Sequence, residues 1–339
     1  MTGERVEAIL REGLEQGVFS AAACSLSRPA KNGQAERTEW YFGEASADTL
    51  FDLASLTKPV ATAVALLRLV EMGRLALTDP VSDWLPECRH LGTASVFHLA
   101  THTGGLPAWK PLYEADDPLR AAFHIPLERL PGLGYNYSDI GYILLGVILE
   151  RAGGEPLSCL CRRLVFEPLG MARTGFLPPN TQSAAPTSNC TWREGQTLCG
   201  VPHDANATAL GGVAGHAGLF ATLADIASFA EALLPGAPHP VLASRGGMDN
   251  LVRNVIEGLG NQSVGFFTHG NPLLPDVQMF GASAIGHSGF TGTAMLINPD
   301  RGPAAVLLTN RVHCDPEGDR YRRFRRRLMS TLAASPEPR

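Results

Sequence analysis

The sequence predicts an α/β (α+β) fold: an antiparallel sheet drawn from both chain termini, flanked by helices, with a large and mostly helical insertion between. Three observations lead there. Val18 to Leu26 and Arg37 to Gly43 read as strands near one end of the chain. Thr291 to Ile297 and Ala304 to Thr309 read as strands near the other, joined by the hairpin signal Asn298-Pro299-Asp300-Arg301-Gly302. The stretch between them is dominated by helical periodicity and by Pro- and Gly-rich loops. Strands at both ends must therefore pair into one sheet.

Taken in order, Arg5 to Gln16 forms an amphipathic helix with Val6, Ile9, Leu10 and Leu14 on one stripe. A polar loop at Pro29 to Gln34 separates the first two strands. Val60 to Met72 is apolar on nearly every face and stops at Gly73, which predicts a buried central helix with a glycine cap. Asp79 to Gly134 reads as short helices and loops. Ile140 to Arg151 is a second apolar helix, closed by Gly153-Gly154. Pro178 to Gly218 is irregular, a helix follows from Asp225 to Leu234, and Asp319 to Leu332 is a terminal helix. Residues 1–59 and 280–339 are assigned to the sheet domain and 60–279 to the insertion, with the active site between them.

Composition narrows the function classes. The chain has 339 residues, 45% hydrophobic and 18% charged, which supplies a large core and excludes a disordered or coiled-coil protein. Its net charge of −5 offers no global attraction to nucleic acid or acidic lipid. The arginines of the terminal helix (Arg320, Arg322, Arg323, Arg325, Arg326 and Arg327) alternate with Tyr321, Phe324 and Leu328 at packing spacing, and read as a solvated face. Val60 to Val70 is too short and too interrupted to span a bilayer, and the first residues lack the basic-then-apolar order of a signal peptide. Seven cysteines without CxxC pairs read as free thiols, and a cytoplasmic location is expected. No nucleic acid, membrane or cofactor is implied, and the oligomeric state is left open.

Three short motifs carry chemistry. The first is Ser55-Leu56-Thr57-Lys58, directly before the buried helix. Pro59 fits only the first helical turn, so Ser55 and Lys58 share the face of an opening turn. Lys58 is one of three lysines, with Lys31 and Lys110, among 28 cations. The helix dipole and an apolar setting are expected to pull its pKa down, and a neutral amine could then take the proton of Ser55. The N–H of Ser55 is free to face a developing oxyanion. The second motif is Tyr137-Ser138-Asp139 at the start of the second apolar helix, where Ser138 or Asp139 can cap and the phenol can carry a proton if cations lower its pKa. The third is His287-Ser288-Gly289-Phe290-Thr291-Gly292-Thr293, placed at the opening of the first C-terminal strand, where glycines mark close backbone approach. There the N–H of Phe290 is a second candidate oxyanion donor.

The three motifs in this order resemble the serine β-lactamase and penicillin-binding-protein superfamily, in its class C-like branch with esterases, D-aminopeptidases and muramyl-amidase relatives. The resemblance spans roughly residues 17–332 and includes Phe97 to Leu106. It implies a β-lactamase/transpeptidase-like fold and an acyl-enzyme mechanism. Ser55 would be the acylated nucleophile, Lys58 its helper and Tyr137 the general base and acid, while His287, Ser288 and Gly289 line the substrate. Tyr137 or His287 would protonate the leaving group. Two departures stand out: Asp139 where many relatives have Asn, and His287 where they have lysine. A mostly neutral histidine anchors a β-lactam carboxylate poorly, so β-lactam hydrolysis is at most a side activity.

The segments Val201 to Ala207, Gly211 to Phe220 and Leu307 to His313 resemble a subgroup that includes muramyl amidases and D,D-peptidases. The expected substrate is therefore a small molecule or peptide, with a cell-wall-derived peptide or muramyl peptide as the finer expectation. The alternatives are a carboxylesterase or acyltransferase with weak β-lactamase activity, and a non-catalytic binder of cell-wall peptides. Trp109 and His216 are further candidates for the substrate pocket. No metal is expected: His98 and His102 lack the glutamate of HExxH, and His203, Asp204 and His216 match no zinc spacing.

Overall fold

The computed structural model describes residues 2–29, 35–178, 180–187 and 197–334. The polar loop expected between the first two strands lies almost wholly outside them. Nine strands are present among the described residues: β1 (Ala21–Pro29), β2 (Ala35–Gly43), β3 (Phe51–Asp52), β4 (Gly175–Phe176), β5 (Leu219–Ala221), β6 (Phe267–Thr268), β7 (Ile285–Gly289), β8 (Thr293–Ile297) and β9 (Ala304–Thr309). Six form one antiparallel sheet in the order β2-β1-β9-β8-β7-β6, and three form a small sheet, β3-β5-β4. The join between chain ends is β1 against β9, with Cys24 opposite Leu307. The α/β class with a sheet drawn from both termini is what the sequence predicts.

The inner strands β8 and β9 are buried on both faces, which is why they read as apolar runs rather than alternating ones. Along β8 and β9, Met295, Ile297, Val306 and Leu308 point to the core shared with the two buried helices. Ala294, Leu296, Ala305 and Leu307 point the other way, onto the N-terminal helix (Thr2–Glu15) and the terminal helix (Asp319–Ala333). The terminal helix buries Tyr321, Phe324, Leu328, Met329 and Leu332 and turns most of its arginines outward.

Two expectations need correction. The central helix is not one α-helix from Val60. A 3-10 turn at Ala54–Leu56 leads into a π-helical stretch at Lys58–Ala63, and α geometry begins only at Val64–Glu71. Pro59 has no N–H to give, and the wider π turn accommodates it at a place where such turns often mark functional sites. Gly73, left-handed at φ 64°, follows the last turn as foreseen. The motif around His287 does not open the strand at Thr291 either. It forms the separate strand β7, and a hairpin tip of Phe290 to Gly292 precedes β8, because Gly292 turns the chain at φ 104° and bonds back to Gly289.

Candidate functional site

The site is built on two helix starts and one strand end. β3 delivers Asp52, whose buried carboxylate accepts the N–H of Ala54 at 2.9 Å and that of His203 at 2.7 Å. Burial raises this acid to about 6 despite both bonds. Ala54, immediately before Ser55, has φ 46°, a left-handed geometry that costs a non-glycine residue free energy and is held by the bonds around it. Those bonds are tertiary. Thr291 donates to the Asp52 carbonyl at 2.6 Å, Thr293 to the Leu53 carbonyl at 3.0 Å, and Leu53 N–H to Leu219 at 2.9 Å. The hairpin of β7 and β8 is thus tied to the backbone that presents Ser55.

Three residues on, Lys58 is fully buried and donates to Ser55 Oγ at 3.1 Å and to the carbonyl of His216 at 3.0 Å. Its third partner is Asp139 Oδ1, at 2.6 Å. Burial works against the charge, but Asp139 and the Tyr137 hydroxyl outweigh it and hold the ammonium above its ordinary value. The expectation of a lowered lysine is therefore wrong in sign. Asp139, the departure from the asparagine of many relatives, supplies the reason: a carboxylate in contact overrides desolvation and dipole together.

The second buried helix (Asp139–Gly153) starts in the regular way. Ser138 is its cap, accepting from Gly141 N–H at 3.1 Å and donating to the Pro107 carbonyl at 2.6 Å. Tyr137, one residue earlier, is placed over Lys58, whose nitrogen lies 5.0 Å from the ring centre. Burial raises the phenol above its ordinary value. Lys58 pulls it down and Asp139 pushes it up, while hydrogen bonding with Ser55 and Lys58 also lowers it, without cancelling the burial. The lowering by a neighbouring cation, on which proton carriage by Tyr137 is conditional, is thus present but outweighed.

β7 closes the group. Gly289 has no alternative, since a Cβ there would overlap the Leu53 carbonyl oxygen and the Thr293 hydroxyl. His287 is buried, stacks on Phe267 at 4.4 Å and lies 5.8 Å from the Tyr137 ring. Its Nδ1 is 3.0 Å from the Ser288 carbonyl, so that nitrogen carries the proton, and Nε2 is a bare acceptor without a partner among the described residues. Burial, then Lys58, depresses the ring to about 3. Neutral at working pH and with its one N–H committed, His287 is no proton donor to a leaving group; that expectation is corrected.

The remaining candidates scatter around this centre. Ser288 is half-buried between His287 and Gly289. Phe290, at the hairpin tip, is 61% exposed, stacked on His203 at 5.5 Å with the Arg311 guanidinium 4.6 Å away on its ring. Trp109 is 45% exposed and follows Ala108, whose carbonyl accepts the Asp139 N–H at 2.8 Å, so it stands at the rim beside the second helix start. His216 meets the site through its carbonyl; its ring turns away to Asp204 at 2.9 Å, which this contact helps hold at about 2. His98 caps the short helix Val96–Ala100 with Ser95. No group of three or more His, Cys, Asp or Glu side chains among the described residues could hold a metal ion. The sequence reading missed Asp52. Its signal was there: one acid inside the apolar run Leu50 to Ala54, two residues before a peptide that must strain.

A family model described as Beta-lactamase matches residues 8–328. The chain belongs to the beta-lactamase family. Within this family it is 31% identical over 316 residues to "Putative D-alanyl-D-alanine carboxypeptidase" of Escherichia coli (strain K12), covering 81% of this chain and 72% of that one. The protein of the same name from Salmonella typhi is 30% identical over 323 residues, covering 79% and 71%. Among solved structures, "EstCE1, a hydrolase with promiscuous acyltransferase activity" superposes with a TM-score of 0.76 at 20% identity, over 98% of both chains. A "Beta-Lactamase/D-Alanine Carboxypeptidase" from Pseudomonas syringae reaches 0.77 at 19% identity, over 99% of both. At these identities the two structures speak for the fold. The class C-like branch of the superfamily, and an enzyme of the hydrolase class, follow from the family match. No helix among the described residues is long and apolar enough to cross a membrane.

Proposed function

We propose that this beta-lactamase-family hydrolase cleaves an amide or ester of a small peptide-like substrate, of the cell-wall-derived kind, through an acyl-enzyme on Ser55. One observation carries the reading. A serine at a strained helix start lies 3.1 Å from a buried lysine, and that lysine's nitrogen lies 5.0 Å from the ring centre of a tyrosine just before a second helix. The names of the curated relatives favour a peptide. The neutral His287 would anchor a β-lactam carboxylate poorly, which argues against a β-lactam as the main substrate.

The charge state of Lys58 divides the labour. Its ammonium donates to Ser55 and His216 and pairs with the Asp139 carboxylate, so it has no lone pair with which to take a proton. Tyr137 is therefore the base, acting as the phenolate that Lys58 stabilises. Ser55 Oγ attacks the carbonyl as its proton passes to the Tyr137 oxygen. The oxyanion is held by the N–H groups of Ser55 and Phe290. Collapse expels the amine or alcohol, which takes the proton from Tyr137, and water repeats the cycle to release the acid. Because burial keeps Tyr137 mostly protonated, turnover rises with pH on the alkaline side.

The test is a fluorophosphonate probe with peptide mapping, alongside a panel of p-nitrophenyl esters, D-amino acid amides, muramyl peptides and nitrocefin, with Ser55→Ala as blank. Labelling at Ser55 and turnover of an amide or ester are expected. A parent protein that neither labels nor turns over any member would instead point to a binder of cell-wall peptides.

A further inference from the structure

His102 is absent from the mechanism above, yet it touches the segment that carries the proposed base on three sides. It is buried, and its backbone sits at φ 59°, left-handed without being glycine. Its carbonyl accepts the N–H of Asn136 at 2.9 Å, and its Nδ1 accepts the N–H of Ser138 at 3.0 Å. These are the two neighbours of Tyr137 in the chain. Its ring packs against Tyr137 at 4.5 Å and is backed by a stacked Tyr142 at 4.9 Å. The bond from Ser138 fixes the tautomer: Nδ1 is the acceptor and Nε2 carries the proton, which finds no partner among the described residues.

This arrangement is costly by every local measure. A bulky residue in the left-handed region, a buried imidazole and an unpaired buried N–H each oppose folding. All three follow from placing one acceptor under Ser138 and one ring face under Tyr137. We infer that His102 is a positioning residue: it clamps residues 136 to 138 so that the Tyr137 hydroxyl is held against Ser55 and Lys58. The inference rests on the reading of Tyr137 as the base. Its physical content is that about 1 Å of freedom in that hydroxyl costs on the order of 100-fold in rate, while substrate affinity depends on other residues. Burial and the nearby Lys58 keep the ring neutral, so the acceptor persists across working pH.

Two substitutions isolate the clamp. His102→Gly accepts the left-handed backbone without strain and removes acceptor and ring. His102→Asn also tolerates that backbone and offers Oδ1 in the place of Nδ1. For the most active ester of the panel, His102→Gly is expected to lower kcat about 100-fold with KM within about threefold. His102→Asn is expected to retain kcat within about fivefold of the parent. In a Tyr137→Phe background, His102→Gly should cost less than about threefold more, because the group it positions is gone. The inference is overturned if the glycine variant keeps its kcat, if asparagine fails to rescue, or if the loss recurs undiminished in the Tyr137→Phe background. Should the glycine variant not fold, the asparagine variant decides alone, with a loss beyond about 50-fold counting against the clamp. A Tyr137→Phe variant with full activity would refute the base assignment itself, which is a different outcome from any of these.

Discussion

The two helix starts that meet at the site are built in opposite ways. At Ser138 the second helix begins with regular α geometry and its own side-chain cap, the serine accepting from Gly141 N–H and donating to the Pro107 carbonyl. At Ser55 the first begins with a left-handed alanine, a 3-10 turn and a π stretch, and no side chain caps it. Its backbone is satisfied by Asp52 two residues back and, from afar, by the threonines of the β7–β8 hairpin and by the segment around Leu219. The regular start carries the tyrosine and the irregular one the serine. A nucleophile must leave the smooth path of the chain to be reached, whereas the base has only to be aimed. A regular helix start with a few distant contacts, from His102 and Pro107, is enough for aiming. Exposure under strain needs the rest of the fold to hold it.

The comparison can be broken most directly at the serine. If both starts serve one hydroxyl, Ser55→Ala abolishes labelling and lowers kcat/KM by about 10⁴-fold or more, with thermal unfolding unchanged. A modest loss would mean that the strained start serves something else. Next comes the brace. Asp52→Ala leaves the buried N–H groups of Ala54 and His203 unpaired, at about 1–3 kcal/mol each, and is expected to lose kcat by about 100-fold. Denaturant titration and steady-state rates on one preparation would check both; lost stability with intact kcat would show that the strain at Ala54 is incidental.

Charge sharpens the contrast further. Asp139 raises both Lys58 and Tyr137, so Asp139→Asn lowers both and makes a basic form available at lower pH. The alkaline limb of the pH–rate profile should move toward neutrality, and a limb that stays in place, or moves upward, would remove Tyr137 and Lys58 from proton transfer. The smallest effect belongs to the regular start. Ser138→Ala removes one cap, costs about 1 kcal/mol and lowers the melting temperature by a few degrees, with kcat within about threefold of the parent. A larger kinetic loss there would make the two starts alike.

Much of the fold was legible. The apolar runs at Thr291 to Ile297 and Ala304 to Thr309, joined by a hairpin signal, read as strands whose partners had to come from the other end of the chain. The positions of Ser55, Lys58, Tyr137 and His287 were also legible, as motifs. What failed were their electrostatics. Lys58 was expected to be lowered because a helix start and an apolar run surround it in sequence; Asp139, eighty-one residues on, reverses the sign from 2.6 Å. His102 read as half of an incomplete metal motif, because nothing within its own segment reveals that it bonds to residues 136 and 138.

By itself, then, the chain's order of residues determined which elements form and which side chains share a turn: Ser55 with Lys58, Ser138 with Gly141. Helix and strand periods are short, and sterics and burial enforce them within a few residues. Only the tertiary structure decided what those side chains are worth. The charge of Lys58, the proton of Tyr137 and the tautomers of His102 and His287 depend on partners brought from distant segments. Electrostatic energies in a dry interior are set by ångströms of separation, and no spacing along the chain encodes them.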